Sequence, residues 1–168
     1  MAYCRCYPAA LMPGNELCIV MIFYYRGMIV INKICQVIDG EYVCDIDISV
    51  EEWKALLMNE KVFDSKSIEA LKKWYIEPNH SCTCFDIGKK YEQHSMSANG
   101  VINGLGGRVQ KELGRFEVKG IGNIAPGTKF ITVMKSKETG EKPKRYLWTI
   151  RDELVQAIKE LDFFGSKE

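Results

Sequence analysis

Histidine is scarce in this chain, and the scarcity narrows its chemistry. His80 and His94 are the only two in 168 residues, and neither lies in a nuclease, hydrolase or phosphate-loop pattern, so neither an enzyme nor a bound cofactor is expected. Long apolar runs are missing too. The longest, Leu17 to Tyr25, is strand-sized and falls short of the roughly 18–20 residues a membrane-spanning helix needs. No secretory leader opens the chain, which predicts a cytoplasmic protein without a membrane partner. An even set of cysteines is likewise absent. The seven, Cys4, Cys6, Cys18, Cys35, Cys44, Cys82 and Cys84, are scattered as reduced thiols would be. Cys18, Cys35 and Cys44 lie in apolar strand patterns, where a thiol acts as a small buried hydrophobe. Strong net charge is lacking at +1, yet its distribution is uneven. From Met96 to Arg151 there are eleven Lys/Arg against four Asp/Glu, which points to a nucleic-acid partner for that stretch.

The first 48 residues read as a small antiparallel sheet. Glu16 to Tyr25, Met28 to Ile38 and Glu41 to Ile48 are rich in Ile, Val and Tyr, with breaks at Arg26-Gly27 and at Asp39-Gly40, a two-residue hairpin signal. Alternation in the third strand places Tyr42, Cys44, Ile46 and Ile48 on one face and Glu41, Val43, Asp45 and Asp47 on the other. The first two strands are apolar on both faces. They therefore need a cover, from the helices or from a second copy in a homodimer.

Ser49 and Glu52 have capping-box spacing, and Trp53, Leu56 and Leu57 follow as an apolar stripe. A second helix starts at Asp64 or Ser65, carries Ile68, Leu71 and Tyr75 inward, and stops before Glu77-Pro78. A third spans Thr83 to Gln93, with Phe85, Ile87 and Tyr91 inward. After a short turn, Ser97 caps a fourth helix, Ala98 to Leu113. On its wheel Val101, Ile102, Leu105, Val109 and Leu113 form the core face, while Asn99, Asn103 and Gln110 share another. Amide side chains suit bidentate contacts with adenine edges. Between these faces run Gly100, Gly104 and Gly107, ending at Lys111; interior helical glycines cost roughly 1 kcal/mol each, so a second backbone is expected there, either a sugar-phosphate chain or the preceding helix.

Phe116 to Gly120, Thr128 to Met134 and Arg145 to Ile150 read as strands, with Lys135 to Arg145 as a basic hairpin tip. Asp152 caps a last helix through Leu154, Ile158 and Leu161. Helix, turn, glycine-studded helix and lysine-rich hairpin follow in the order of a winged helix-turn-helix, in which the second helix lies in the major groove and the wing reaches flanking phosphates. The expected fold is α+β: an antiparallel sheet over 1–48, a winged helix-turn-helix domain over 49–164 and a tail at 165–168.

The pieces EEWKALLMNEKVF, IEALKKWY, CTCFDIGKKY, NGVINGLGGRV and LWTIRDELVQAIKEL occur in that order between Val50 and Leu161. This part of the chain resembles a winged-helix module of modification-dependent (type IV, Mcr-like) restriction proteins. The resemblance implies a DNA-facing helix bearing Asn99, Asn103 and Arg108, a closing motif with Trp148 and Arg151, and a reader of sequence or base modification in bacterial or phage defence. The HNH motif, the Walker loop and the PD-(D/E)xK core that accompany such modules are absent. Candidate DNA contacts are thus Asn99, Asn103, Arg108, Gln110, Lys111, Lys135, Lys137, Lys142, Lys144 and Arg145, with double-stranded DNA as partner.

The alternative is a phage-type inhibitor or protein-binding adaptor aimed at a bacterial nuclease complex or another protein subunit. A third reading, a small nuclease using Asp45 and Asp47, lacks the Glu-x-Lys partner. His80, Cys82 and Cys84, even with Cys4 and Cys6, do not have the spacing of common structural zinc sites, and no metal is expected.

Overall fold

The computed structural model describes residues 22–25, 28–92, 94–120, 128–140 and 145–165. The Arg26-Gly27 turn, Cys4, Cys6, Cys18, Lys142, Lys144 and residues 166–168 lie outside them. The chain runs through β1 (Ile22–Tyr25), β2 (Met28–Ile38), β3 (Glu41–Val43), α1 (Val50–Leu57), α2 (Ser65–Tyr75) and a 3-10 turn at Pro78–His80. It continues through β4 (Ser81–Thr83), α3 (Cys84–Lys90), α4 (Ser95–Leu113), β5 (Phe116–Gly120), a 3-10 turn at Thr128–Thr132, β6 (Met134–Glu138), β7 (Tyr146–Ile150) and α5 (Asp152–Glu160). The class is α+β.

Local signals act where they stand. Asp39 and Gly40 take φ of 49° and 81° and turn β2 into β3, since a two-residue hairpin needs positive φ at both positions. Ser49 and Glu52 close their capping box, and Asp64 accepts from the Ser67 amide at 2.8 Å to start α2. Helix α3 is shorter than its sequence pattern, with Thr83 as its N-cap. Helix α4 begins at Ser95 rather than Ala98, and Arg151, not Asp152, occupies the N-cap of α5. The β-branched run Thr128 to Met134 is a 3-10 turn up to Thr132 rather than a strand. Packing under α4 overrides its extended propensity.

Two sheets organise these elements. In the first, β2 pairs antiparallel with β1 and β3, and parallel with β5 from Ile31 opposite Phe116 to Cys35 opposite Gly120. The second has the order β4-β7-β6 and is antiparallel throughout. The parallel pair corrects one expectation: the N-terminal sheet is mixed, and β5, from the second half of the chain, completes it. Arg115, just before β5, binds back to Glu52 and to the Asp47 carbonyl, and its own carbonyl accepts from the Ile31 amide at 2.9 Å. Asp45 and Asp47, raised above as nuclease carboxylates, hold Lys33 at 3.7 and 2.7 Å.

The core joins both halves. Trp53, Phe63, Leu71, Trp74, Ile102, Leu105, Phe116, Phe130 and Ile150 are fully buried, each contributing about 1.5–3 kcal/mol by area. Trp74 donates its indole N–H to the Cys82 carbonyl at 3.1 Å and meets Phe130 edge-on, and Phe130 packs against Trp148 at 4.3 Å between centroids. That aromatic chain fixes β4 and β7 against α2. Burial pushes the Cys44 and Cys84 thiols up to about 12, so both stay protonated and non-nucleophilic near neutrality.

The tie between Arg115 and Glu52 gives the fold an acid dependence. Arg115 donates to both Glu52 oxygens, and the Ser49 amide and hydroxyl add bonds of 2.9 and 3.0 Å. These donors, the Arg115 guanidinium foremost, outweigh burial and hold the Glu52 carboxyl down at about 2 from an ordinary 4.5. A folded pKa below the unfolded one stabilises fully above about pH 4.5, and the contribution is lost as pH falls towards 2. The Glu52 side chain is 32% exposed, so screening reduces the contribution to about 1–2 kcal/mol. In urea unfolding the stability gap between the parent and Glu52→Gln should narrow from about pH 6 to about pH 2.5. A gap that does not change with pH would remove this ion pair from the account.

Candidate nucleic-acid interface

Helix α3 is set by Thr83, whose hydroxyl accepts from the Asp86 amide at 3.0 Å and donates to its carboxylate at 2.6 Å. Ile87 and Gly88 turn into the core. Phe85, expected inward, is 47% exposed instead. The link to α4 passes Glu92 at a positive φ of 52°. On α4, Ala98, Ile102, Leu105 and Val109 are buried and Val101 and Leu113 half-buried, as the wheel requires.

The rest of α4 differs from the expected reading face. Gly100 and Gly104 are exposed, and a Cβ at Gly100 would meet nothing within 4 Å. The close approach occurs at Gly106, which the sequence reading left out: a Cβ there would stand 1.9 Å from the Lys129 carbonyl oxygen. Gln110 is a correction. It is buried at 4% exposure, donates to Thr132 Oγ1 at 2.6 Å and accepts from the Val118 amide at 3.2 Å, so it caps the outer edge of β5 rather than reading bases. Arg108 is half-exposed and bound within the protein. Its Nε donates to the Val62 carbonyl at 2.8 Å and its Nη2 to Ser67 at 2.5 Å, with Asp64 at 3.4 Å, which commits it to the start of α2. Asn99 and Asn103 are half-buried, and Asn103 Oδ1 is enclosed by protein. Lys111 is exposed on the outward strip.

The β6–β7 hairpin is better formed for contact. Its register sets Lys135 opposite Thr149 and Lys137 opposite Leu147, and the Thr139 amide extends the ladder to the Arg145 carbonyl at 3.0 Å. With a side-chain period of two, Lys135, Lys137 and Arg145 share one face. Ser136, Tyr146 and Trp148 share the other, where the Tyr42 ring lies 4.8 Å from Tyr146 and 5.9 Å from Trp148, and Ser136 accepts from the Tyr42 amide at 2.8 Å. Lys135 and Lys137 therefore belong to strand β6 rather than to a loop tip. Lys135 is bound to Asp152, whereas the Arg145 guanidinium lies 4.0 Å above the Phe85 ring.

The charge surplus is not all surface. Three of the cations counted between Met96 and Arg151 are engaged by protein acceptors: Arg108 and Arg115, both half-exposed, and the buried Arg151, whose Nε and Nη2 both donate to the Ile131 carbonyl at 3.0 and 2.8 Å. His80 takes a bond of 2.5 Å with the Tyr75 carbonyl and stacks on the Tyr75 ring, and no group of three or more potential metal ligands stands together among the described residues. Phe85 escaped sequence reasoning, although one signal was there. At 100° per residue it lies roughly 200° from Ile87, so both cannot face the same core. No family model, curated protein or solved structure matches the chain.

Proposed function

We propose that the chain binds double-stranded DNA through a winged helix-turn-helix made of α2, β4, α3, α4 and the β6–β7 hairpin, with the hairpin as the wing. The observation that carries this reading is the row of Lys135, Lys137 and Arg145 on the outward face of a hairpin anchored beside α3. Support comes from the strand order, in which the strand between the first two helices of the unit pairs with the last strand of the wing. Because Arg108 and Gln110 are engaged within the protein and Asn103 Oδ1 is enclosed, phosphate contact dominates, and base reading falls to Asn99. Service as a reader of sequence or base modification in a defence system rests on the resemblance alone. A protein-binding module is the second reading, favoured by Ile38 and Val43, which are exposed on one face of the β2–β3 hairpin.

Titration against duplex, single-stranded and methylated duplex DNA at two salt concentrations tests the proposal. Duplex affinity should fall with salt at a slope of about 0.9 log units per phosphate contact, and Lys137→Ala should flatten it by up to about 0.9 while weakening all duplexes alike. No duplex binding at low salt would transfer the chain to the protein-binding reading.

A further inference from the structure

We infer that Phe85 is a positioning residue for the wing: its ring holds the Arg145 guanidinium in place as a preformed fork for a phosphodiester oxygen of duplex DNA. This rests on the DNA-binding reading and deepens it. Phe85 stands 47% exposed on the first turn of α3, while Ile87 and Gly88 on the same helix are buried. What meets its ring is Arg145, at 4.0 Å between guanidinium carbon and centroid. Other cation–ring contacts among the described residues are wider, from 5.1 to 6.0 Å.

Arg145 is held at both ends. Its carbonyl accepts from the Thr139 amide at 3.0 Å, which fixes its root at the close of the hairpin, and the ring fixes its head. Stacking engages the flat face of a guanidinium, whereas its hydrogen bonds are made in its own plane, so the same group can lie on an aromatic ring and grip a phosphate bidentately. A side chain ordered before binding loses less rotamer freedom on binding, and the gain appears as affinity. Lysine cannot replace it, because an ammonium is a point charge without the planar fork. Lys137 shares the face, one rung along the ladder.

The test combines salt titration with a double-mutant cycle on full-length protein. Phe85→Leu should weaken duplex binding about fivefold at fixed salt while leaving the salt slope intact, since no charge is removed. Phe85→Tyr, which keeps the ring, should restore parent affinity. Arg145→Ala should both weaken binding and flatten the slope by up to about 0.9. In the Arg145→Ala background Phe85→Leu should have no further effect. Arg145→Lys, which leaves the Phe85 helix untouched, should keep the slope and lose the same fivefold. Parent-like binding by Phe85→Leu and Arg145→Lys, or an undiminished loss from Phe85→Leu without Arg145, would overturn the inference while the DNA reading stands. A parent protein that binds no duplex at low salt overturns both.

Discussion

Gly106→Ala should destabilise the fold by about 3 kcal/mol, at the upper end of what overpacking a well-filled interior costs. The new Cβ would stand 1.9 Å from the Lys129 carbonyl oxygen and 2.8 Å from its carbon, and both are backbone atoms that no rotamer change can move aside. Nor can the turn that carries them swing away. It places Phe130 and Ile131 in the core, and the Val133 amide closes it on the Phe130 carbonyl at 3.0 Å. Gly100→Ala, six residues earlier on the same helix, should have the opposite sign. Its Cβ meets nothing within 4 Å, so helix propensity alone acts and stability should rise by about 0.5–1 kcal/mol. Denaturant midpoints of the two variants decide the matter, and a Gly106→Ala protein as stable as its parent would mean that the 3-10 turn does not press on α4. The same Gly100→Ala protein bears on function. If a sugar-phosphate backbone runs along the exposed glycines, the more stable variant binds duplex less tightly.

That contrast marks the boundary of what this sequence discloses. Helical periodicity gives the angle at which a residue leaves the axis, and it correctly gathered Ile102, Leu105 and Val109 on one face. It does not say which distant segment arrives at that face. The strip of Gly100, Gly104 and Gly107 was therefore legible as a pattern, while Gly106, where the backbone from Lys129 closes in, was not. Features closed by neighbours in sequence were equally readable: the Ser49–Glu52 box, the Asp64 cap and the Asp39-Gly40 turn each need only a few adjacent residues. Long-range pairings were not. Nothing local announces that β5 will lie parallel to β2, since a parallel partner can come from any distance along the chain. Charge counting failed for a related reason, because Arg108, Arg115 and Arg151 carry the same formal charge as an exposed lysine although each is spent on protein acceptors. The basic β6–β7 hairpin was legible as composition. The face shared by Lys135, Lys137 and Arg145 emerged only from the strand register.

Gln110 offers the sharpest separation between a structural role and a reading role, and Gln110→Ala should lower stability by about 2–4 kcal/mol. Its amide joins two elements that pack against α4, donating to Thr132 Oγ1 at 2.6 Å and accepting from the Val118 amide at 3.2 Å. Truncation leaves the Val118 N–H without that acceptor in a residue only 3% exposed, and it opens a space the size of the lost amide. Gln110→Met separates the two costs. It nearly fills the volume but cannot hydrogen-bond in the same way, so its loss should be about 1–3 kcal/mol, the hydrogen-bonding share. Base preference, where the parent shows one, should be the same in both variants, because the side chain never reaches the surface. Unchanged melting together with an altered base preference would reverse the assignment. Gln110 would then have to leave its bonds to Thr132 and Val118 when DNA binds, and β5 would lose the cap on its outer edge.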